Sequence, residues 1–132
     1  METSQDEFMD RITRTAINNP RYGREAYLFV LKGMEWSMDQ LAQRRHLSGE
    51  EFAELLAAFA RHEYGDMAQF VLNEWGIYST RDFGEIVYKL IEMDLMSRQQ
   101  GDSIEDFDQV FELESVLNDP DFTPAALRNR NT

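Results

Sequence analysis

Apolar residues recur at intervals of three and four along most of the chain, which is the period of a helix with one buried face. Phe8 and Ile12 indicate a short first helix, which Asn18-Asn19-Pro20 ends. A long second helix is predicted from Arg24 to Arg45. Its apolar stripe consists of Tyr27, Leu31, Met34, Met38 and Leu41. The segment AYLFVL near its start is apolar nearly all round, which favours a central place in the core and leaves a strand as the alternative.

Capping signals divide the middle of the chain into three further helices, 49–64, 66–75 and 80–93. Ser48 and Glu51 fit a capping box, in which each side chain satisfies a backbone N–H at the start of a helix. The residues expected to face inward are Phe52, Leu55, Leu56 and Phe59 in the first of these helices, Met67, Phe70, Val71 and Trp75 in the second, and Phe83, Ile86, Val87, Leu90 and Ile91 in the third.

The pattern changes near residue 94, where two short apolar runs flank a polar, turn-rich middle. Residues 95–97 and 109–113 predict a small antiparallel hairpin, and a last short helix from Phe107 to Leu117 is the alternative. Three helices followed by a hairpin is the order of a winged helix-turn-helix, with helix 80–93 in the recognition position. Residues 118–132 contain two prolines and few apolar residues, which predicts a flexible tail.

The sequence therefore predicts a mainly α fold: a single domain of five to six helices over residues 1–117. The N-terminal helices occupy residues 1–45. Residues 48–113 form a candidate winged-helix-like unit with a small β-hairpin. A chain of 132 residues fits one domain of ordinary size.

Composition excludes several classes of protein. The chain has no cysteine, which excludes disulfides, thiol catalysis and thiolate metal sites. No apolar run approaches the roughly 20 residues that span a bilayer. The acidic start, METSQDEFMDR, lacks the apolar stretch of a secretory signal. We expect a cytoplasmic protein that does not enter a membrane.

Charge is spread unevenly along the chain. The formal net charge is −12, and residues 63–132 carry five Lys/Arg against fifteen Asp/Glu. Nucleic acid is a polyanion, so this half of the chain would be repelled by it. We therefore expect a protein with a basic surface, rather than nucleic acid, as the partner of the C-terminal half.

The triplet Asp82-Phe83-Gly84 matches the magnesium-binding triplet of protein kinases. A kinase also needs a glycine-rich loop, a strand lysine and a His-Arg-Asp loop upstream, and the sequence has none of them. Phe83 lies on the apolar stripe, Asp82 opposes the dipole of a helix start, and Gly84 indicates the close approach of a neighbouring element. We interpret the triplet as structural.

Neither the two histidines nor the acidic residues have the spacing of a known metal site. His46 and His62 lack the second histidine that a zinc-protease helix carries four residues along. An acidic cluster follows Gly101, but a calcium loop needs its glycine in the middle of the acids. The cluster consists of Asp102, Glu105, Asp106, Asp108 and Glu112. We expect no metal, no cofactor and no catalytic residue, and interpret the cluster as a solvated loop or a contact surface for a basic partner.

One basic concentration and one tryptophan remain as candidate contacts. The basic residues are Arg11, Arg14, Arg21 and Arg24. Arginines beside aromatic residues can bind a phosphate or a single strand, and surface salt bridges with Asp10 and Glu25 are the alternative. Trp36 lies off the main stripe of its helix. It is the candidate for an exposed hydrophobic contact, unless it meets a second helix.

Several short strings, taken together and in order, resemble a family of small uncharacterised bacterial proteins restricted to Verrucomicrobia and Planctomycetes. The strings are EAYLFV (25–30), RRHLSGEE (44–51), YGDMAQ (64–69), WGI (75–77), STRDFGEIVYKLIE (79–92) and EDFDQVF (105–111). The resemblance covers about residues 24–113. That family has no assigned activity, cofactor or catalytic residue, so the resemblance implies a bacterial cytoplasmic protein with a shared fold and nothing about mechanism.

The function that the sequence favours is a non-catalytic regulatory or adaptor module that binds another protein. Its contact residues would be Asp102, Glu105, Asp106 and Asp108, with Trp36 as an anchor. The alternative is nucleic-acid binding through the four N-terminal arginines. A third possibility is an enzyme of unfamiliar type, which requires a deep pocket with convergent polar groups, such as His46 or His62 beside carboxylates. The partner's identity and the oligomeric state stay open.

Overall fold

The computed structural model describes residues 3–128, and these are mainly helical, as the sequence predicts. Within this range the chain forms seven α-helices and two 3-10 turns. The helices are α1 (Thr3–Asn18), α2 (Arg24–Gln40), α3 (Gly49–Tyr64), α4 (Ala68–Glu74), α5 (Thr80–Glu92), α6 (Leu113–Leu117) and α7 (Ala125–Arg128). The 3-10 turns are Gly65–Met67 and Ile104–Phe107.

Helix α3 lies at the centre of the fold and contacts most of the other elements. It begins with the predicted capping box: Ser48 accepts a hydrogen bond from the Glu51 backbone N–H, and the Glu51 carboxylate accepts one from the Ser48 backbone. Its buried face includes Phe52, Leu55 and Leu56. The helix therefore starts where its sequence signal predicts and carries the core that positions its neighbours.

Helix α2 packs against α3 and is shorter than predicted. The segment AYLFVL is helical rather than a strand. The helix ends at Gln40, five residues before the predicted Arg45, because Leu41 turns the backbone into an extended conformation. Residues 41–48 connect α2 to α3. Leu47 is buried in this connection, and Ser48 at its end caps α3.

Only part of the face predicted for helix α4 packs on the core: Trp75 lies against it, as predicted, whereas Met67 and Phe70 do not. Met67 and Phe70 are 56% and 59% exposed, whereas Ala68 and Leu72 are buried. The chain enters this helix through the 3-10 turn Gly65–Met67, which winds three residues per turn instead of 3.6. That tighter turn changes the angular position of every later side chain.

The hairpin predicted over residues 95–113 is wrong, because no residue in this segment is in a strand. The segment instead forms the 3-10 turn Ile104–Phe107, which packs against α5. The Thr80 hydroxyl donates to the Phe107 carbonyl at 2.7 Å and accepts from the Val110 N–H at 3.2 Å. These backbone groups are therefore bound to α5 and are not available for strand pairing. Without strands the segment has no wing, and the winged-helix-like unit is not supported. The alternative, a last short helix, is present only over Leu113–Leu117.

Part of the predicted tail lies against α3. The Ala125 N–H donates to the Glu54 carboxylate at 2.7 Å, and Pro124 is buried. The rings of Phe122 and Phe111 have centroids 6.0 Å apart. Residues 118–128 thus contact the helical body, and residues 129–132 lie outside the described residues. Among residues 3–128, no helix is long and apolar enough to cross a bilayer.

Gly84 sets the distance between α5 and the 3-10 turn Ile104–Phe107. A Cβ at this position would lie 2.8 Å from both Cβ and Cγ of Phe107, well inside van der Waals contact. Phe107 is buried in the core. The missing side chain of Gly84 is therefore what lets the turn pack directly on the helix.

We expect Gly84→Ala to lower the free energy of unfolding by about 1–3 kcal/mol, because the added methyl group would overpack this contact. In an uncrowded helix the same change would stabilise by about 0.5–1 kcal/mol, so the sign of the effect is the test. Urea unfolding measures it. The matched control is Gly23→Ala, where the new Cβ meets only Glu25 Oε1 at 3.6 Å and the change should stay within about 1 kcal/mol. A stabilised Gly84→Ala variant would contradict this contact.

Candidate functional site

A pocket of about 320 Å³ lies between α2, the start of α3, α5 and the segment 94–107. Its apolar lining comes from Met34 and Met38 of α2, Phe52 of α3, Val87 and Ile91 of α5, and Leu47, Leu95, Met96 and Phe107 of the connecting segments. Its polar lining comes from Arg45, His46, Ser48, Tyr88, Ser97, Arg98, Asp102, Ser103 and Asp106. The pocket thus combines an apolar floor with polar groups around its mouth.

The outer wall of the pocket is residues 94–103, which connect α5 to the 3-10 turn Ile104–Phe107. Asp94 and Gly101 have φ of 60° and 95°, in the left-handed region, and they bend the backbone near the two ends of the wall. Leu95 and Met96 are half-buried and turn towards the core, whereas residues 97–101 are exposed. Only a few side chains of the outer wall therefore hold it against the rest of the protein.

His46 and Asp102 make a polar contact across the mouth of the pocket. His46 Nε2 lies 2.9 Å from Asp102 Oδ2, and the side chains are 33% and 23% exposed. The Gln99 N–H also donates to Asp102 Oδ2, at 2.8 Å. The second carboxylate oxygen, Oδ1, accepts no hydrogen bond from a described residue. This contact ties the outer wall to the 41–48 connection and leaves one carboxylate oxygen available at the mouth.

Tyr88 carries its hydroxyl at the same mouth. Burial raises the pKa of Tyr88; among the nearby charges, Arg98 lowers it, and Asp102, Asp106 and Glu105 raise it. The hydroxyl is therefore neutral at pH 7 and sits where one cation and three carboxylates act on it. It forms no hydrogen bond with the residues that the structure describes.

The predicted acidic residues are divided between capping and ion pairing. Asp106 accepts from the Ser103 N–H at 3.0 Å in a capping box of the 3-10 turn. Glu105 contacts the Ser103 hydroxyl at 2.5 Å, and Asp108 pairs with Arg81 at 2.9 Å. Of the predicted acidic contact residues, Asp102 and Asp106 line the pocket. The cluster is therefore partly a set of turn caps, with two members at the pocket.

Trp36 lies against α3. Its ring is half-buried, with centroids 5.5 Å from Phe59 and 5.5 Å from His62. His62 is 3.3 Å from Glu63 at the surface. The structure thus agrees with the alternative that Trp36 meets a second helix, and it gives His62 no place in the pocket.

The four N-terminal arginines do not point to one place. Arg11 donates to the Met93 carbonyl at 2.5 Å, at the C-terminal end of α5, and Arg21 pairs with Asp82 near its N-terminal end. At 1.5 Å per residue these two ends are roughly 16 Å apart. Arg24 is 3.6 Å from Glu25, and Arg14 is exposed on α1. The alternative interpretation of the arginines as surface ion pairs fits two of the four, Arg21 and Arg24, whereas Arg11 binds a backbone carbonyl.

Each residue of the kinase-like triplet has a structural contact, and Asp82 has the most. Its carboxylate accepts from the Tyr22 hydroxyl at 2.5 Å, from Arg21 at 2.7 Å and from the backbone N–H groups of Tyr78 and Ser79 at 2.7 and 3.0 Å. Phe83 is fully buried and Gly84 touches Phe107. Asp82 thus joins the connection between α1 and α2 to the start of α5.

Burial alone would raise the pKa of Asp82. The hydrogen bonds from Tyr22, Tyr78 and Arg21 outweigh that effect, so the pKa of this carboxyl lies below its usual value. Among residues 3–128, no group of three or more His, Cys, Asp or Glu side chains could hold a metal ion.

Sequence reasoning missed the pocket itself. In the sequence Met34 and Met38 belong to a helical stripe that predicts core positions, and no pattern marks Tyr88. The signal in the sequence is weak: Met34 and Met38 continue the apolar stripe of α2, and Leu95-Met96 adds apolar residues to a polar segment. Only the fold brings these residues together.

No protein-family model, no curated protein and no solved structure matches the chain. The resemblance to the bacterial family therefore stays a prediction. The case for function rests on the geometry described above.

We expect Asp82→Asn to lower the free energy of unfolding at pH 7 by about 1–3 kcal/mol, because the charge-assisted hydrogen bonds of the carboxylate weaken. A carboxyl whose pKa is depressed in the folded state stabilises the fold above its unfolded pKa, near 4, and loses this contribution as the pH falls through the folded pKa. The difference between the two proteins should therefore shrink below about pH 4. Thermal unfolding from pH 7 to pH 2 measures it.

The matched control is Glu85→Gln, which neutralises an exposed carboxylate on the same helix. It should change stability by less than about 1 kcal/mol. A wild-type advantage over Asp82→Asn that stays constant down to pH 2 would show that the carboxylate charge is not the source of stability.

Proposed function

We propose that the protein is a non-catalytic regulatory or adaptor module that binds a partner protein by taking one of its apolar side chains into the pocket. The observation that carries this proposal is an apolar pocket of about 320 Å³ with polar groups at its mouth. Ligand sites of proteins start at roughly this size and share this division between apolar lining and a few polar groups. Anchoring by one buried side chain is the usual way in which a small interface gains its affinity.

The methionines of the pocket support a protein partner. Met34, Met38 and Met96 are half-buried and line the space from two sides. Methionine side chains are flexible and polarisable, so such surfaces can repack around apolar groups of different shape. The outer wall adds to this adaptability, since most of it is exposed and it contacts the body through few side chains.

This proposal keeps a protein partner and changes the place where it binds. The acidic wing expected from the sequence has no strands in the described residues, and several of its carboxylates cap turns. In this proposal Trp36, which packs on α3, does not serve as the anchor. The anchor instead comes from the partner, and the pocket receives it.

A phage-displayed library of random dodecapeptides tests this function. We expect the wild type to enrich peptides with a shared bulky apolar residue and to bind them with micromolar dissociation constants. Met96→Trp should weaken binding at least tenfold, because the indole would occupy the pocket. The matched control is Met67→Trp at the exposed end of the 3-10 turn Gly65–Met67, outside the pocket lining, which should bind like the wild type. Enriched peptides that bind Met96→Trp as well as the wild type would show that the pocket is not the binding site.

The His46–Asp102 contact favours acid–base catalysis as a second candidate function. A histidine oriented by a carboxylate beside a pocket is an arrangement that enzymes use for proton transfer. Hydrolysis of p-nitrophenyl acetate and p-nitrophenyl phosphate tests it. Activity that His46→Gln removes and His62→Gln retains would favour the enzyme, and rates equal to buffer for all three proteins would count against it.

A further inference from the structure

The basic side chains at the mouth of the pocket differ in whether they already contact a carboxylate of the protein. Arg45 donates to both carboxylate oxygens of Glu51 at 3.0 and 2.9 Å, and this guanidinium holds the pKa of Glu51 below its usual value. Its charge is therefore largely compensated. His46 faces Asp102. Arg98 is the one lining cation that forms no ion pair with a described residue.

The carboxylates at the mouth keep acceptor capacity. Asp102 uses Oδ2 for both His46 and the Gln99 N–H. Asp106 uses Oδ2 for the Ser103 N–H. The Oδ1 atoms of both residues accept no hydrogen bond from the described residues. A carboxylate has about four lone-pair positions, so each can accept further hydrogen bonds from a ligand.

The surroundings of the mouth are negative. Residues 94–112 contain six Asp/Glu and one arginine, a net charge of −5. The negative charges of Asp102, Asp106 and Glu105 raise the pKa of Tyr88, and only the positive charge of Arg98 lowers it. A cationic group at this position is therefore attracted and an anionic group is repelled.

We infer that the occupant of the pocket is a segment of a partner protein in which a bulky apolar side chain stands next to Lys or Arg. The apolar side chain fills the space between Met38 and Met96, and the cation binds the Oδ1 atoms of Asp102 and Asp106. The apolar floor and these carboxylates line one pocket, so two neighbouring side chains can reach both. This inference rests on the proposed function and adds the charge of the partner to it.

Labelled hexapeptides test the inference through fluorescence polarisation. Each peptide carries Phe or Leu at a fixed central position, followed by Lys, Arg, Gln or Glu. We expect the Lys and Arg peptides to bind the wild type at least tenfold more tightly than the Glu peptides. Raising the salt concentration from 0.05 to 0.5 M should reduce this preference, because screening shortens the reach of the charges.

The double variant Asp102→Asn/Asp106→Asn should reduce the preference to less than threefold and leave the affinity of the Gln peptides unchanged. Asparagine retains an oxygen that can accept the Gln99 and Ser103 N–H groups, and unchanged binding of the Gln peptides shows that the pocket is intact. The matched control is Glu74→Gln/Asp121→Asn. It removes the same net charge at two exposed positions outside the pocket lining and should keep the full preference.

The outcomes separate this inference from the proposed function. Binding that Met96→Trp abolishes, but that is equal for Lys and Glu or stronger for Glu, would retain the pocket and overturn the cationic partner. Binding that Met96→Trp leaves unchanged, or the absence of binding by every peptide, would overturn both. Hexylamine that displaces the Lys peptide with equal affinity would show that a free amine, rather than a protein segment, is the occupant.

Discussion

The contact between α5 and the 3-10 turn at residues 104–107 is the constraint on which the candidate site depends. Gly84 allows the Phe107 ring to lie directly on the helix, and the Thr80 hydroxyl binds the backbone that follows the ring, at the Phe107 carbonyl and the Val110 N–H. This contact places Asp106 beside Tyr88 and lets the outer wall close the pocket. At the start of the same helix, the Asp82 carboxylate binds the α1–α2 connection, so a single helix aligns the N-terminal half of the core with the pocket.

The carboxylate in the buried polar network and the carboxylates at the pocket differ in how many hydrogen bonds they accept from the protein. The Asp82 carboxylate accepts five hydrogen bonds and has almost no solvent exposure, which suits a residue that orders the fold. Asp102 and Asp106 are partly exposed, and the Oδ1 atom of each accepts no hydrogen bond from the described residues. Among the described residues, the carboxylate that accepts the most hydrogen bonds therefore belongs to the kinase-like triplet. The carboxylates suited to binding a ligand lie in a segment that has no recognisable motif.

Local signals predicted much of the fold. The capping box of α3 and the apolar stripe of α5 depend on neighbours within one or two turns, and both are confirmed. The failures depend on distant contacts: the hairpin is absent because Thr80 binds the backbone at Phe107 and Val110, and α4 is rotated by a 3-10 turn. Met34 and Met96 line the same pocket although they are 62 positions apart in the sequence. Helical periodicity relates residues a few positions apart and cannot predict that they meet.

The three pocket methionines also decide how the protein would respond to oxidants. The chain has no cysteine, so thioether sulfur is its most readily oxidised side-chain group. Conversion of Met34, Met38 or Met96 to the sulfoxide places a polar, chiral group where the lining is apolar. Oxidation of these three residues would therefore change the binding surface directly, while the buried aliphatic and aromatic side chains of the core have no thioether to oxidise.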